Sequence, residues 1–238
     1  MMRDVAGTVA IDPRFNGPPD SAQGGYAAGT LARLCGEPCE VTLRRPVPLG
    51  RELAVEEGGD GAVRLVDGED VVAEARRVEA VGVEPPVRPF LADAEAASHR
   101  HPGRERDHPF GACFVCGPER ADGLQVCAGP LPAAQQVGAS PFVAQEWLCE
   151  DGVVRPEFVW AVLDCPSYTP RMWRRERMSV LGRITAECLR DVRSGERLVA
   201  IGWDLESEGR KHTTASALLT DEGELVARAR AVWIELRG

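Results

Sequence analysis

The chain has 238 residues, 44% of them hydrophobic, enough to fill one large core or two of ordinary size. Its 28 Lys and Arg face 37 Asp and Glu, and the net charge of −9 argues against a general surface for nucleic acid or anionic lipid. No stretch approaches the roughly 20 apolar residues that span a bilayer, and the opening MMRDVAGTVAID lacks the apolar centre of a secretion signal. A cytoplasmic protein is therefore expected, with no membrane or nucleic-acid partner and with its eight cysteines as thiols.

The first half opens with a loop, DPRFNGPPDSAQGG, whose prolines and glycines forbid continuous regular structure. A helix follows in YAAGTLARLCG, with Asp20 or Ser21 placed to start it and Gly36 to end it; its small residues let another element pack very close. From Cys39 the pattern changes to strands, CEVTLRRPVPL, ELAVEEG, AVRLVDG and DVVAEARRVEAV, separated by turn residues. VDGED is the clearest hairpin turn, because Asp-Gly tolerates the positive φ that tight hairpins require.

Residues 85–109, rich in Pro, His, Arg and Ala, read as a crossing linker between a unit at 1–84 and a unit at 110–238. Within the second unit, HPFGACFVCGP holds the one tight cysteine pair with metal or redox spacing, Cys113 and Cys116, with His99, His101 and His108 upstream as further ligands. A single CxxC running into Gly117 and Pro118 reads first as a buried turn, and no metal is assigned. Short strands are expected from Cys113 to about Trp147, then a helix inside VVRPEFVWAVLDCP, with Pro156 in its first turn and Pro166 stopping it behind Asp164. Strands follow from Ser179 to Leu236.

The ends of the two units match. VRLVDGEDVVAEARRVEAV (Val63 to Val81) and ALLTDEGELVARARAVWIEL (Ala217 to Leu236) share an apolar run, an acidic-Gly turn and then alternating small, charged and branched residues. Their separation far exceeds the roughly 20 to 50 residues of a solenoid repeat, so a whole unit is repeated. One helix precedes a run of strands in each half, which gives an α+β architecture with each sheet wrapped on its helix and a ligand site expected between the halves.

Three segments carry a resemblance. RFNGPPDSAQGGYAAGTLARL resembles the loop and helix that open the first hotdog, CFVCGPERADGLQV resembles a segment that opens many small hotdog thioesterases, and WAVLDCPSYTP with TDEGELVARARAV resembles the helix end and final hairpin of the second hotdog, so that together the chain resembles the double-hotdog acyl-CoA thioesterases. The resemblance implies a duplicated hotdog with Asp164 at the position of the catalytic aspartate, working with a hydroxyl residue and a glutamine. Aligned on the last hairpin, the hydroxyl position falls near Ser207 and the glutamine position near Ala231, which has no amide. Gln23, Asn16, Thr213 and Thr214 are substitutes. Gln23 is preferred, because Gly24 and Gly25 beside it offer bare N–H groups at a helix start where a thioester carbonyl can be polarised.

The residues themselves point the same way. Asp164 ends an apolar run, Phe158 to Leu163, where burial raises a carboxyl pKa, whereas the matching stretch of the first half, Leu31 to Arg33, has no carboxylate. One site per chain follows, unless Asp164 merely meets backbone amides beyond its helix. Arg171, Arg174 and Arg175 supply cations for the phosphates of coenzyme A, which would enter as part of the substrate with no resident cofactor. His212 is a weaker acid–base candidate. The leading reading is a thioesterase-like hydrolase of a small-molecule acyl-CoA or carrier-bound acyl thioester, possible as a homodimer. The alternatives are a non-catalytic acyl-thioester binding protein, a hotdog hydratase or dehydratase, for which no Asp–His spacing is found near either helix, and a zinc-stabilised interaction protein.

Overall fold

The computed structural model describes residues 7–58, 60–105, 108–175 and 177–237. In chain order the elements are β1 (Gly7–Ala10), α1 (Gly24–Cys35), β2 (Cys39–Leu43), β3 (Glu52–Glu57), β4 (Val63–Asp67), β5 (Asp70–Arg77), α2 (Leu91–Ser98), α3 (Pro102–Glu105), β6 (Gly129–Pro130) and β7 (Gly138–Val143). They continue with β8 (Cys149–Glu150), β9 (Val153–Val154), α4 (Pro156–Asp164), β10 (Ser179–Cys188), β11 (Arg197–Glu208), β12 (Lys211–Leu219) and β13 (Leu225–Glu235). Apart from the small β8–β9 hairpin, every strand joins one antiparallel sheet of 11 strands in the order β1-β3-β4-β5-β2-β10-β13-β12-β11-β7-β6.

The seam lies where β2 pairs with β10, with Val41 opposite Ile184 and Cys39 opposite Ala186. Outward from it the strands run β2, β5, β4, β3, β1 on one side and β10, β13, β12, β11, β7 on the other, so the two sides follow one plan. The matching hairpins of the sequence are β4–β5 and β12–β13, in corresponding places. Asp67 pairs with Asp70, and the positive φ of that turn belongs to Gly68 (63°).

Helix α1 packs on β2, β4 and β5, and α4 on β10 to β13; the two helices also pack on each other. They meet through glycine. A Cβ at Gly25 would lie 2.5 Å from the Trp160 carbonyl oxygen, and one at Gly29 would lie 2.6 Å from the Glu157 Cα, so the small residues of α1 admit the backbone of α4. One buried cluster therefore contains Ala28 and Leu31 of α1, Phe158 and Val162 of α4, and strand residues from both halves.

Helix α1 begins at Gln23 rather than at Asp20 or Ser21. The Gln23 side-chain oxygen accepts from the Tyr26 amide at 2.6 Å, filling the N-cap role, and Gly36 at φ 90° ends the helix as expected. Pro156 occupies the first turn of α4, whose end at Asp164 runs into a 3₁₀ turn, Cys165–Ser167, containing Pro166.

Two sequence expectations fail. The segment read as a crossing linker contains α2, whose Ala94 and Ala97 are fully buried against β7 and β11. Along β11, Leu198 and Ala200 face the main cluster while Val199, Ile201 and Trp203 join a second cluster with α2, so this helix covers the opposite sheet face. The strands expected from Cys113 onward give way, up to β6, to turns closed by Gly117 N–H to the Cys113 carbonyl (2.9 Å) and Gln125 Nε2 to the Gly117 carbonyl (3.0 Å). Among the described residues no helix is long and apolar enough to cross a membrane.

Candidate active site

A cavity of about 360 Å³ opens where the loop before α1, the start of β10, the Cys113 turn and the chain following α4 converge. Gln23, Gly24 and Asp164 line it together, drawn from both halves of the chain. Trp173, Tyr168, Trp233 and Phe110 give it aromatic walls. His101 and His108 stack edge-on against Trp173, with ring centroids 4.7 and 5.1 Å away, and burial pushes His101 down to about 3, so that ring is neutral.

Asp164 is the last residue of α4 and is 3% exposed. Its Oδ2 accepts from the Gly25 amide at 2.7 Å and from Gln23 Nε2, while Oδ1 is buried and has no partner among the described residues. Burial pushes its carboxyl up to about 7 against these two bonds, with Cys113 adding to the rise. The α4 terminus is fixed from behind: Ser167 Oγ donates to the Asp164 carbonyl and Ser216 Oγ to the Leu163 carbonyl, each at 2.6 Å, and Trp233 Nε1 donates to Ser167 Oγ at 2.9 Å. Ser167 is local, three residues on, but Ser216 and Trp233 are remote in sequence, and no local signal announces them.

Gln23 is used at both ends of its amide, accepting from Tyr26 and donating to Asp164. The Gly25 amide is likewise committed to Asp164, and Gly24, at the first position of α1, lines the cavity. Gly24 also stands close to the carboxylate, since a Cβ there would lie 3.2 Å from Asp164 Oδ2.

The remaining predicted residues lie elsewhere. Asn16 donates to the Ala112 carbonyl at 3.2 Å and accepts from Arg120, tying the opening loop to the Cys113 segment. Ser207 faces His212 across the β11–β12 ladder and bonds its Nδ1 at 3.0 Å, while Thr213 pairs with Glu206 and Val232; neither lines the cavity. Arg171, Arg174 and Arg175 are also off the wall, and Arg175 pairs with Glu235 at 3.3 Å. Among the described residues the arginines that line the cavity are Arg44 and Arg45, just beyond β2, paired with Glu74 at 3.2 Å and Asp70 at 2.6 Å and not among the sequence candidates. Arg-Arg before Pro46 was the available signal.

The cysteine pair also reaches the cavity. Cys113 and Cys116 meet Cys165, the residue after Asp164, with all three sulfurs within 4.8 Å of one another. Hydrogen bonding from the other two thiols holds Cys113 well below the usual thiol range, whereas Cys116 and Cys165 are pushed well above it.

No protein-family model and no curated protein sequence matches the chain. Solved structures do. A conserved protein of Alicyclobacillus acidocaldarius, described as having a hot dog fold, aligns over 99% of this chain and 95% of its own, with TM-score 0.57 and 13% identity. The chain has the hotdog fold. Other structurally similar proteins include the acyl-CoA thioesterase II TesB2 of Mycobacterium marinum (TM-score 0.59, 16% identity, 100% of this chain and 95% of that one). A TesB protein of Mycobacterium avium subspecies paratuberculosis aligns with TM-score 0.61 at 13% identity, over 97% of this chain and 92% of its own. In hotdog terms, α1 and α4 are the helices on which the sheet packs, and Asp164 sits at the cavity end of the second.

Proposed function

We propose that the chain is a duplicated hotdog hydrolase that cleaves an acyl-CoA or carrier-bound acyl thioester. The observation that carries this reading is that a buried carboxylate with one unpaired oxygen and the first residue of a helix share one cavity wall. Among the described residues Asp164 Oδ1 has no partner, and Gly24, the first residue of α1, lines the cavity next to the carboxylate. The mirrored strand order about β2 and β10 supports the duplication.

In the proposed reaction a water held on Asp164 Oδ1 attacks the thioester carbonyl carbon. Its proton passes to the carboxylate as the carbon–oxygen bond forms, and the carbonyl oxygen takes its developing charge towards the Gly24 amide and the positive end of α1. Collapse breaks the carbon–sulfur bond, and the proton returns from Asp164 to the departing thiolate. Gln23 acts as a positioning residue, because its amide fixes the carboxylate and not the substrate. Arg44 and Arg45 supply positive charge for a phosphate-bearing leaving group.

A panel of acyl-CoAs and acylated carrier proteins, with released thiol titrated, tests the reading. Turnover is expected on at least one substrate, and Asp164→Asn should reduce kcat by at least ~100-fold, the lower range for losing a general base. No thiol release from any substrate, or undiminished turnover in the variant, overturns it. One observation favours a second reading, an acyl-thioester binding protein without turnover: Ser207 and Thr213, the hydroxyl candidates, do not reach the cavity. Calorimetric binding of a non-hydrolysable acyl-CoA with no thiol release from the hydrolysable one selects it.

A further inference from the structure

We propose that Cys113, Cys116 and Cys165 together bind a zinc ion through their three sulfurs. Cys113 and Cys116 come from the turn of the second half, and Cys165 is delivered by the 3₁₀ turn that ends α4. Their sulfurs lie within 4.8 Å of one another, whereas three thiolates on a tetrahedral zinc, at Zn–S of about 2.3 Å, stand about 3.8 Å apart. The largest separation therefore exceeds the zinc-bound spacing by only about 1 Å.

The turn that presents the pair is built for one shape. The Cys113 amide donates to the Phe110 carbonyl at 2.8 Å and the Gly117 amide to the Cys113 carbonyl at 2.9 Å. A Cβ at Gly117 would collide with the Gly111 carbonyl and the Cys113 backbone, so the residue after the CxxC must be glycine. The Asn16 carbonyl, accepting from the Phe114 amide at 2.8 Å, pins the middle of the turn to the first half of the chain. Three sulfurs converging from two separate segments onto one cavity wall form a soft-donor set of the kind that selects zinc over hard cations.

Three protein ligands leave the fourth position to the cavity side. His108 shares the cavity wall, but its Nδ1 accepts from the Phe110 amide at 3.0 Å, so in the neutral ring Nε2 carries the proton and has no lone pair for a metal. A water or an entering ligand therefore takes the fourth position, and binding releases the thiol protons to solvent. The site goes beyond the hydrolytic reading and does not rest on it, because its readout is the metal.

The test uses full-length, untagged protein expressed with zinc and purified under reducing conditions. One zinc per chain by elemental analysis is expected, and replacement by cobalt(II) should give the intense near-ultraviolet band of thiolate–cobalt bonds. Cys165→Ser should weaken zinc binding by at least ~10-fold, the minimum typical even for loss of an outer-sphere partner, while Cys149→Ser should leave it unchanged. If Cys165→Ser fails to fold, the cobalt spectrum of the unmutated protein decides alone. Substoichiometric zinc with no cobalt band in fully reduced protein overturns the proposal, as does a Cys113–Cys116 disulfide that persists in its place.

Discussion

Asp164 commits one oxygen to the structure and leaves the other free. Gln23 and the Gly25 amide hold Oδ2 while Gln23 also caps α1, so one side chain joins helix stability to carboxylate position. Gln23→Ala should cost about 1 kcal/mol of stability through the lost cap, read by urea unfolding. In the hydrolytic reading it should also lower kcat more than it changes KM, because the residue it releases is the base and not a substrate contact. A variant that loses stability but keeps kcat would separate the cap from the carboxylate. Asp164 was legible in the sequence as a lone carboxylate closing an apolar run. Its partner was legible only as a Gln-Gly-Gly helix entry, and their hydrogen bond spans 141 residues, which no local pattern encodes. The third sulfur of the cysteine cluster was hidden for the same reason: Cys165 has no spacing relation to Cys113 or Cys116, and the histidines next to that pair drew attention instead.

At the scale of elements, the α1–α4 contact determines how closely the halves approach. Gly29 faces Trp160, and a Cβ there would lie 2.7 Å from the Trp160 Cβ and 2.6 Å from the Glu157 Cα, with main chain unable to yield cheaply. Gly29→Ala should therefore destabilise by about 1–3 kcal/mol through overpacking, although alanine is the better helix former. Equilibrium denaturation should show a lower midpoint at unchanged slope, and a stabilised variant would mean that the helices can slide apart. The hairpins and both main helices were readable because their patterns are strong and local: strand alternation, Pro156 at a helix start, Gly36 at a helix end. Helix α2 was not readable. Phe90 caps it without a side-chain bond, and its buried face is only Ala94, Ala97 and Ser98, so its helicity depends on packing against β7 and β11 and on the Leu91 amide bond to Asp221 at 2.6 Å. The Cys113 segment misled in the opposite sense, since its apolar residues suggested strands while Gly111, Gly117, Pro118 and Gly123 turn the chain too often for a ladder to form.

At the scale of the molecule, the two matching hairpins belong to one sheet continuous through β2 and β10 over a core shared by both helices. Burying α1 requires α4, and pairing β2 requires β10, so neither half has a complete interface alone. This arrangement predicts one cooperative unfolding transition. The tryptophans make the prediction decisive: all five, Trp147, Trp160, Trp173, Trp203 and Trp233, lie in the second half, while far-ultraviolet circular dichroism reports both halves. If the halves melted separately, the dichroism would acquire a phase absent from the fluorescence. Coincident curves are expected, with the same midpoint and slope by both probes in urea. A dichroism transition that precedes the tryptophan signal would show the first half unfolding by itself, and the shared α1–α4 core would then contribute less to cohesion than its glycine-mediated packing implies.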